Sequence, residues 1–114
     1  MTDQRPAVLS ECLGEARSLA GLLEYSDNSI VSKTVLDKSS GTITIFSFDA
    51  GQRLSEHTSV YDAVIQVIEG VAIVKIADRA NEVPAGSLIV MPANVPHSVD
   101  APGRMKMMLI MIRD

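Results

Sequence analysis

The chain has no tryptophan, two tyrosines, two phenylalanines, one cysteine and two histidines among its 114 residues. Each scarcity excludes something. A lone Cys12 cannot form an internal disulfide, which fits a reducing compartment. Among apolar neighbours it reads as a small residue on a helix face rather than a reactive thiol. So few aromatics make no base-stacking platform, and 10 basic against 14 acidic residues, a net charge of -4, leave no basic stripe. Nucleic acid is therefore not an expected partner. No run approaches the roughly 18 apolar residues of a membrane-spanning helix, so no membrane partner is expected either. Acidic residues break the apolar positions of MTDQRPAVLSECLGEARS, so the segment is not read as a secretory signal and a cytoplasmic location is expected.

What is present describes an ordinary globular protein. The chain is 46% hydrophobic and 21% charged, and its length suffices for one core. Between Val8 and Leu23, the residues Leu9, Cys12, Leu13, Ala16, Leu19, Leu22 and Leu23 recur at three- and four-residue steps, the helical period. Gly14 and Gly21 weaken that pattern. This predicts one or two short helices packed outside the domain, with Ser26-Asp27-Asn28 as the exit turn. The chain divides accordingly into an N-terminal helical extension, residues 1–28, and a main domain, residues 29–114.

After Asn28 the texture changes to short runs rich in Val, Ile, Thr and Met. The predicted strands are Ile30 to Leu36, Thr42 to Phe48, Tyr61 to Ile68, Val71 to Ile76, Ser87 to Met91 and Met105 to Ile112. Turn chemistry separates them: Lys38 to Gly41, Asp49 to Gly51, Glu69-Gly70, Ala77 to Asn81, Pro84 to Gly86, Pro92 to Pro96 and Ala101 to Gly103. Short strands at nearly even spacing, with no helices between them, predict an all-β sandwich or barrel. In Thr42 to Phe48 the residues Ile43, Ile45 and Ser47 face one way and Thr44, Phe46 and Phe48 the other. The last strand is apolar on both faces, with Met105, Met107, Leu109 and Met111 on one and Met108, Ile110 and Ile112 on the other, opened by Lys106. A strand buried on both sides lies between layers or under a partner, which predicts a homodimer formed near Ile30 to Leu36 and one sheet face.

Two stretches carry a longer pattern. From Gly51 come five residues, His57, one residue, Ser59, three residues, Ala63, six residues and Gly70; from Gly86 come five residues, then Pro92, Asn94 and His97, and after three more Ala101. These spacings resemble the two signature motifs of the cupin superfamily, G(x)5HxH(x)3E(x)6G and G(x)5PxGxxH(x)3N, over Gly51 to Ala101. The resemblance implies a double-stranded β-helix, a jelly-roll barrel, with three His and one carboxylate gathered on its inner surface around a divalent metal. Here His57 and His97 hold two of those positions, Ser59 and Ala63 stand at the other two, Asn94 replaces the motif glycine and Ala101 the asparagine. On a simple strand Asp62, Glu56 and Gln66 point away from that surface, since neighbouring residues face opposite ways; a bulge would be needed to bring Asp62 in as the carboxylate.

His57, Ser59, Ala63 and His97 are therefore the candidate ligand-binding residues, with His57 and His97 also the candidate metal ligands. The expected function is binding of a small molecule in an apolar barrel cavity around the two histidines. The resemblance leaves two alternatives. One is a metal-dependent dioxygenase or isomerase using a weakly bound divalent ion (Mn, Fe, Zn or Ni) on His57 and His97. The other is metal-free acid-base chemistry at one imidazole.

Overall fold

A computed structural model describes residues 7 to 113; what the sequence predicts for residues 1 to 6 lies outside them. The strands are β1 (Ala7–Val8), β2 (Ile30–Lys38), β3 (Gly41–Phe48), β4 (Arg53–His57), β5 (Asp62–Glu69), β6 (Val71–Ile76), β7 (Arg79–Pro84), β8 (Leu88–Met91), β9 (His97–Asp100) and β10 (Met105–Ile112). They form two antiparallel sheets, one of order β1-β2-β3-β10-β5-β8 and one of order β4-β9-β6-β7. This is the jelly-roll arrangement, two sheets closed over one core.

The inner faces follow from alternation. On β10, Met105 and Met107 are fully buried against Phe48 and Val67, while Leu109 and Met111 continue the same face toward one end of the barrel. Phe46 and Phe48 of β3 lie on this side, as predicted, with ring centroids 6.1 Å apart. From the smaller sheet come Ala72, Val74 and Val99, none more than 2% exposed. At Gly70, φ is +74° and an added Cβ would collide with the Arg104 carbonyl, so the chain passes from β5 to β6 only with glycine there.

Four strands depart from the sequence reading, among them the two-residue β1 at the start of the stretch read as helical. β7 occupies part of the stretch read as a turn, Ala77 to Asn81, and β4 and β9 were not predicted. Each is short or largely polar: in β4 only Leu54 is not exposed, so the hydrophobic signal of a strand is absent.

The N-terminal extension also differs from expectation. In place of one or two short helices it holds two 3-10 turns, Ser10–Cys12 and Ala20–Leu22, with the half-buried Cys12 in the first. Gly14 takes φ +70° and breaks any longer helix. The carbonyls that a helix would have satisfied internally accept from the sheet instead. Lys106 Nζ donates to Ala20 O at 2.6 Å, Lys33 Nζ to Leu22 O at 2.9 Å and Ser47 Oγ to Glu24 O at 2.9 Å. The segment is thus a strap across the outer face of the larger sheet, burying Leu23, Ile45, Ser47 and Lys106. Tyr25 completes it, its ring flanked by the Arg104 and Lys106 cations and its hydroxyl donating to Glu69 at 2.6 Å. A bulge of β5 against β10 between Lys106 and Met107 turns Glu69 to this outer face. No helix among the described residues is long and apolar enough to cross a membrane.

Candidate functional site

His57 ends β4 and His97 begins β9, and the two residues are paired across adjacent strands of the smaller sheet. Strict alternation would put Leu54 and His57, three residues apart, on opposite faces. Both nevertheless line the cavity. The reason is an extra residue in β4 between the Leu54–Val99 and His57–His97 pairs, a β-bulge that re-aims the histidine.

His97 is placed by the turn before it. Asn94 takes φ 64°, a left-handed conformation that asparagine tolerates in place of the motif glycine. Two hydrogen bonds dock this turn on the β4–β5 connection: Ala93 N donates to Asp62 Oδ1 at 2.8 Å and Asn94 N to Ser59 O at 2.7 Å. Asp62 is thus an outward-facing anchor, as parity requires.

The two rings meet edge to face, at 76° with centroids 4.4 Å apart, and their Nε2 atoms are 3.1 Å from each other. His57 Nδ1 is 2.8 Å from Ser55 O and His97 Nδ1 is 3.1 Å from Val95 O. A carbonyl only accepts, so both Nδ1 atoms carry hydrogen and both Nε2 atoms face the shared space. His57 is exposed at the mouth, whereas His97 is only 4% exposed. Burial, reinforced by the neighbouring His57, pulls the His97 pKa below the ordinary histidine value, and the bond to Val95 O only partly opposes this.

Behind the pair lies a cavity of about 270 Å³. Its wall is apolar, formed by Ile65, Met107 and Met111 from the larger sheet, Leu54 and Val99 from the smaller one, and Met91 of β8. All four candidate residues reach it. Ala63 is 3% exposed on the inner face of β5, paired with Met111 on one side and Met91 on the other. Ser59 lies beyond the end of β4, not two positions along a continuing strand, and its Oγ accepts from Tyr61 N at 3.1 Å. Sequence reasoning missed Leu54 because it missed β4; the nearby motif histidine was the available signal.

The donors present do not fit the three-His, one-carboxylate set that the resemblance implies. Ala63 offers no donor atom, the Ser59 hydroxyl is a neutral group engaged in its own turn, and Asp62 is turned away onto Ala93 N. Among the described residues, no group of three or more His, Cys, Asp or Glu is arranged to hold an ion. Two imidazoles remain, held by their Nδ1–H bonds.

Comparison with known proteins places this geometry. Residues 44–113 match the family described as "Cupin domain". No curated protein matches the chain. Among solved structures, a conserved protein of unknown function from Streptococcus pyogenes is 29% identical over 88% of each chain, with a TM-score of 0.84. A cupin superfamily protein from Desulfitobacterium hafniense is 27% identical over 84% of this chain and 88% of its own, with a TM-score of 0.81. A Cupin 2 conserved barrel domain protein from Leptotrichia buccalis is 34% identical over 83% of this chain and 46% of its own, also with a TM-score of 0.81.

Proposed function

The chain belongs to the cupin domain family, and from that premise we propose that its barrel is a binding module for a small, mostly apolar molecule held around His57, Ser59, Ala63 and His97. The observation that carries this reading is the cavity of about 270 Å³, apolar in its depth, with two ring nitrogens converging at its mouth. A concave apolar space with a few convergent polar groups is the usual form of a small-molecule site. The fold itself does not choose a chemistry.

The test is a fragment titration followed on the methionine methyl resonances of Met91, Met107 and Met111. Ligands that enter the barrel move all three, while methyl signals unmoved by every fragment would refute the reading. Elemental analysis of the same sample addresses the metal-dependent alternative: stoichiometric, tightly held manganese, iron, zinc or nickel would overturn a metal-free binding module.

A homodimer is proposed on a separate observation. The strap covers only part of the outer face of the larger sheet. Beyond it the laterally paired Leu36, Ile43, Ile110, Val64 and Val90 form an apolar row across five strands, with Met108 and Leu88 beside it. Leu88 is 62% and Val90 53% exposed, and no charged side chain interrupts the row. At about 4.8 Å per strand spacing the row runs roughly 19 Å. A second copy related by a two-fold axis would cover it with the same row, and the unpaired edge of β8 lies at its end. Sedimentation at micromolar concentration should show a dimer, and Val90→Glu should shift it to monomer; a monomeric native protein would refute this.

A further inference from the structure

Within the apolar cavity one polar atom has a role fixed by its surroundings. His97 is buried and gives its Nδ1–H to Val95 O, so the neutral ring presents the lone pair of its Nε2 to the cavity. The atom now opposite is His57 Nε2, 3.1 Å away, whose own ring gives its Nδ1–H to Ser55 O. In the neutral pair two lone pairs therefore confront each other, and one donor hydrogen is missing. His57 is exposed and ends its strand, so its ring can turn out to water at the cost of the single bond to Ser55 O. His97 has no such freedom. The rim hydroxyls are those of Thr58 and Ser59; among the described residues neither donates to His97 Nε2, and Ser59 Oγ is engaged as acceptor from Tyr61 N.

The size of the missing partner follows from the space. An apolar cavity of about 150 Å³ holds a benzene molecule. The space here, about 270 Å³, therefore suits one substituted ring or a chain of similar bulk. Resting on the small-molecule reading above, we propose that the cavity selects an uncharged hydroxyl compound, an otherwise apolar phenol or alcohol of about ten non-hydrogen atoms or fewer. Its O–H donates to His97 Nε2 in place of His57, and its carbon body lies among Met91, Met107, Met111 and Ile65. A carboxylate of the same size offers only acceptors and would set charge against a lone pair. A hydrocarbon fills the space but leaves the buried nitrogen unpartnered.

Three probes of one shape separate these cases: p-cresol, toluene and p-toluate, titrated into the full chain at about pH 8, above the ordinary histidine range, and followed on the methionine methyl signals. The expected order is p-cresol tighter than toluene by about five- to tenfold, as one hydrogen bond to a buried acceptor gives, with p-toluate weakest. In His97→Leu the preference for p-cresol should collapse to within about twofold while toluene still binds. Should that variant fail to fold, His57→Ala serves, since it leaves the acceptor in place and the p-cresol preference should persist or grow. Toluene binding as tightly as p-cresol would overturn the proposal and leave the binding-module reading standing. Tightest binding of p-toluate would overturn it in favour of a protonated pair. Failure of all three to bind would remove the proposal together with the reading beneath it.

Discussion

Ala63→Leu tests whether the cavity exists in solution, because the sign of its effect depends on the space around the residue. Ala63 is 3% exposed, on the inner face of β5 between Met91 and Met111, and its Cβ borders the cavity. Leucine adds three carbon atoms. Burying them in existing space is favourable by about 2 kcal/mol, at about 0.8 kcal/mol per methylene-sized group. Ordering the longer side chain costs about 0.5–1 kcal/mol. The net expectation is a gain of about 1–1.5 kcal/mol, or a rise in Tm of roughly 5 °C for a domain of this size. In a filled core the same substitution would cost about 1–3 kcal/mol through displaced neighbours. Differential scanning calorimetry on native and variant protein decides between the two, and p-cresol titration of the variant should show binding lost. A lower Tm would refute the reasoning, showing that the flexible methionines around the site have collapsed into the space.

Lys106→Met should destabilise the domain by about 1.5–3 kcal/mol, because the Ala20 carbonyl loses a charged donor. Lys33→Met, at a more exposed position, should cost under about 1 kcal/mol. Equal urea midpoints for the two variants would argue against the strap being pinned mainly through Lys106. The lowered pKa of His97 also sets a pH dependence: the folded ring resists a proton that the unfolded chain accepts, so acid favours unfolding. The His97 contribution is fully present above the ordinary value of 6.5 and is lost as the pH falls through that value and the lower folded one. Urea unfolding between about pH 7 and about pH 5 should show this decline, and His97→Gln should flatten it; an unchanged slope in that variant would refute the assignment.

Much of the barrel was legible because β2, β3, β5, β6, β8 and β10 are apolar enough to show a period of two or a continuous run, bounded by Gly, Pro, Asn and Asp. β4 and β7 were not, because Arg53, Ser55 and Glu56 in one and Arg79, Ala80 and Glu82 in the other are exposed. β9 is four residues long and comes directly after a proline. The strap was misread for a different reason. Its three- and four-residue spacing is helical, but Lys33, Ser47 and Lys106 supply from a distant part of the chain the hydrogen bonds that a helix would have made locally. Nothing in the spacing of Leu9 to Leu23 records that.

At the site, the motif spacing marked His57, Ser59, Ala63 and His97, which all line the cavity, but it did not show that Ser59 stands in a turn beyond the strand. The bulge in β4 uses up the alternation before His57, and the strand ends there. The chain then enters a turn whose polar groups serve the backbone: Ser59 Oγ accepts from Tyr61 N, Ser59 O from Asn94 N, and Asp62 Oδ1 from Ala93 N. These bonds fix the Pro92 to Pro96 turn against the β4–β5 connection, and with it the distance between the two rings. The implied metal set would have tied β4, β5 and β9 together through side chains on one ion. Here hydrogen bonds between the connections make that tie. Ser59 and Ala63 are thereby free of any ligating duty, and Ala63 leaves open the space that a longer side chain would close.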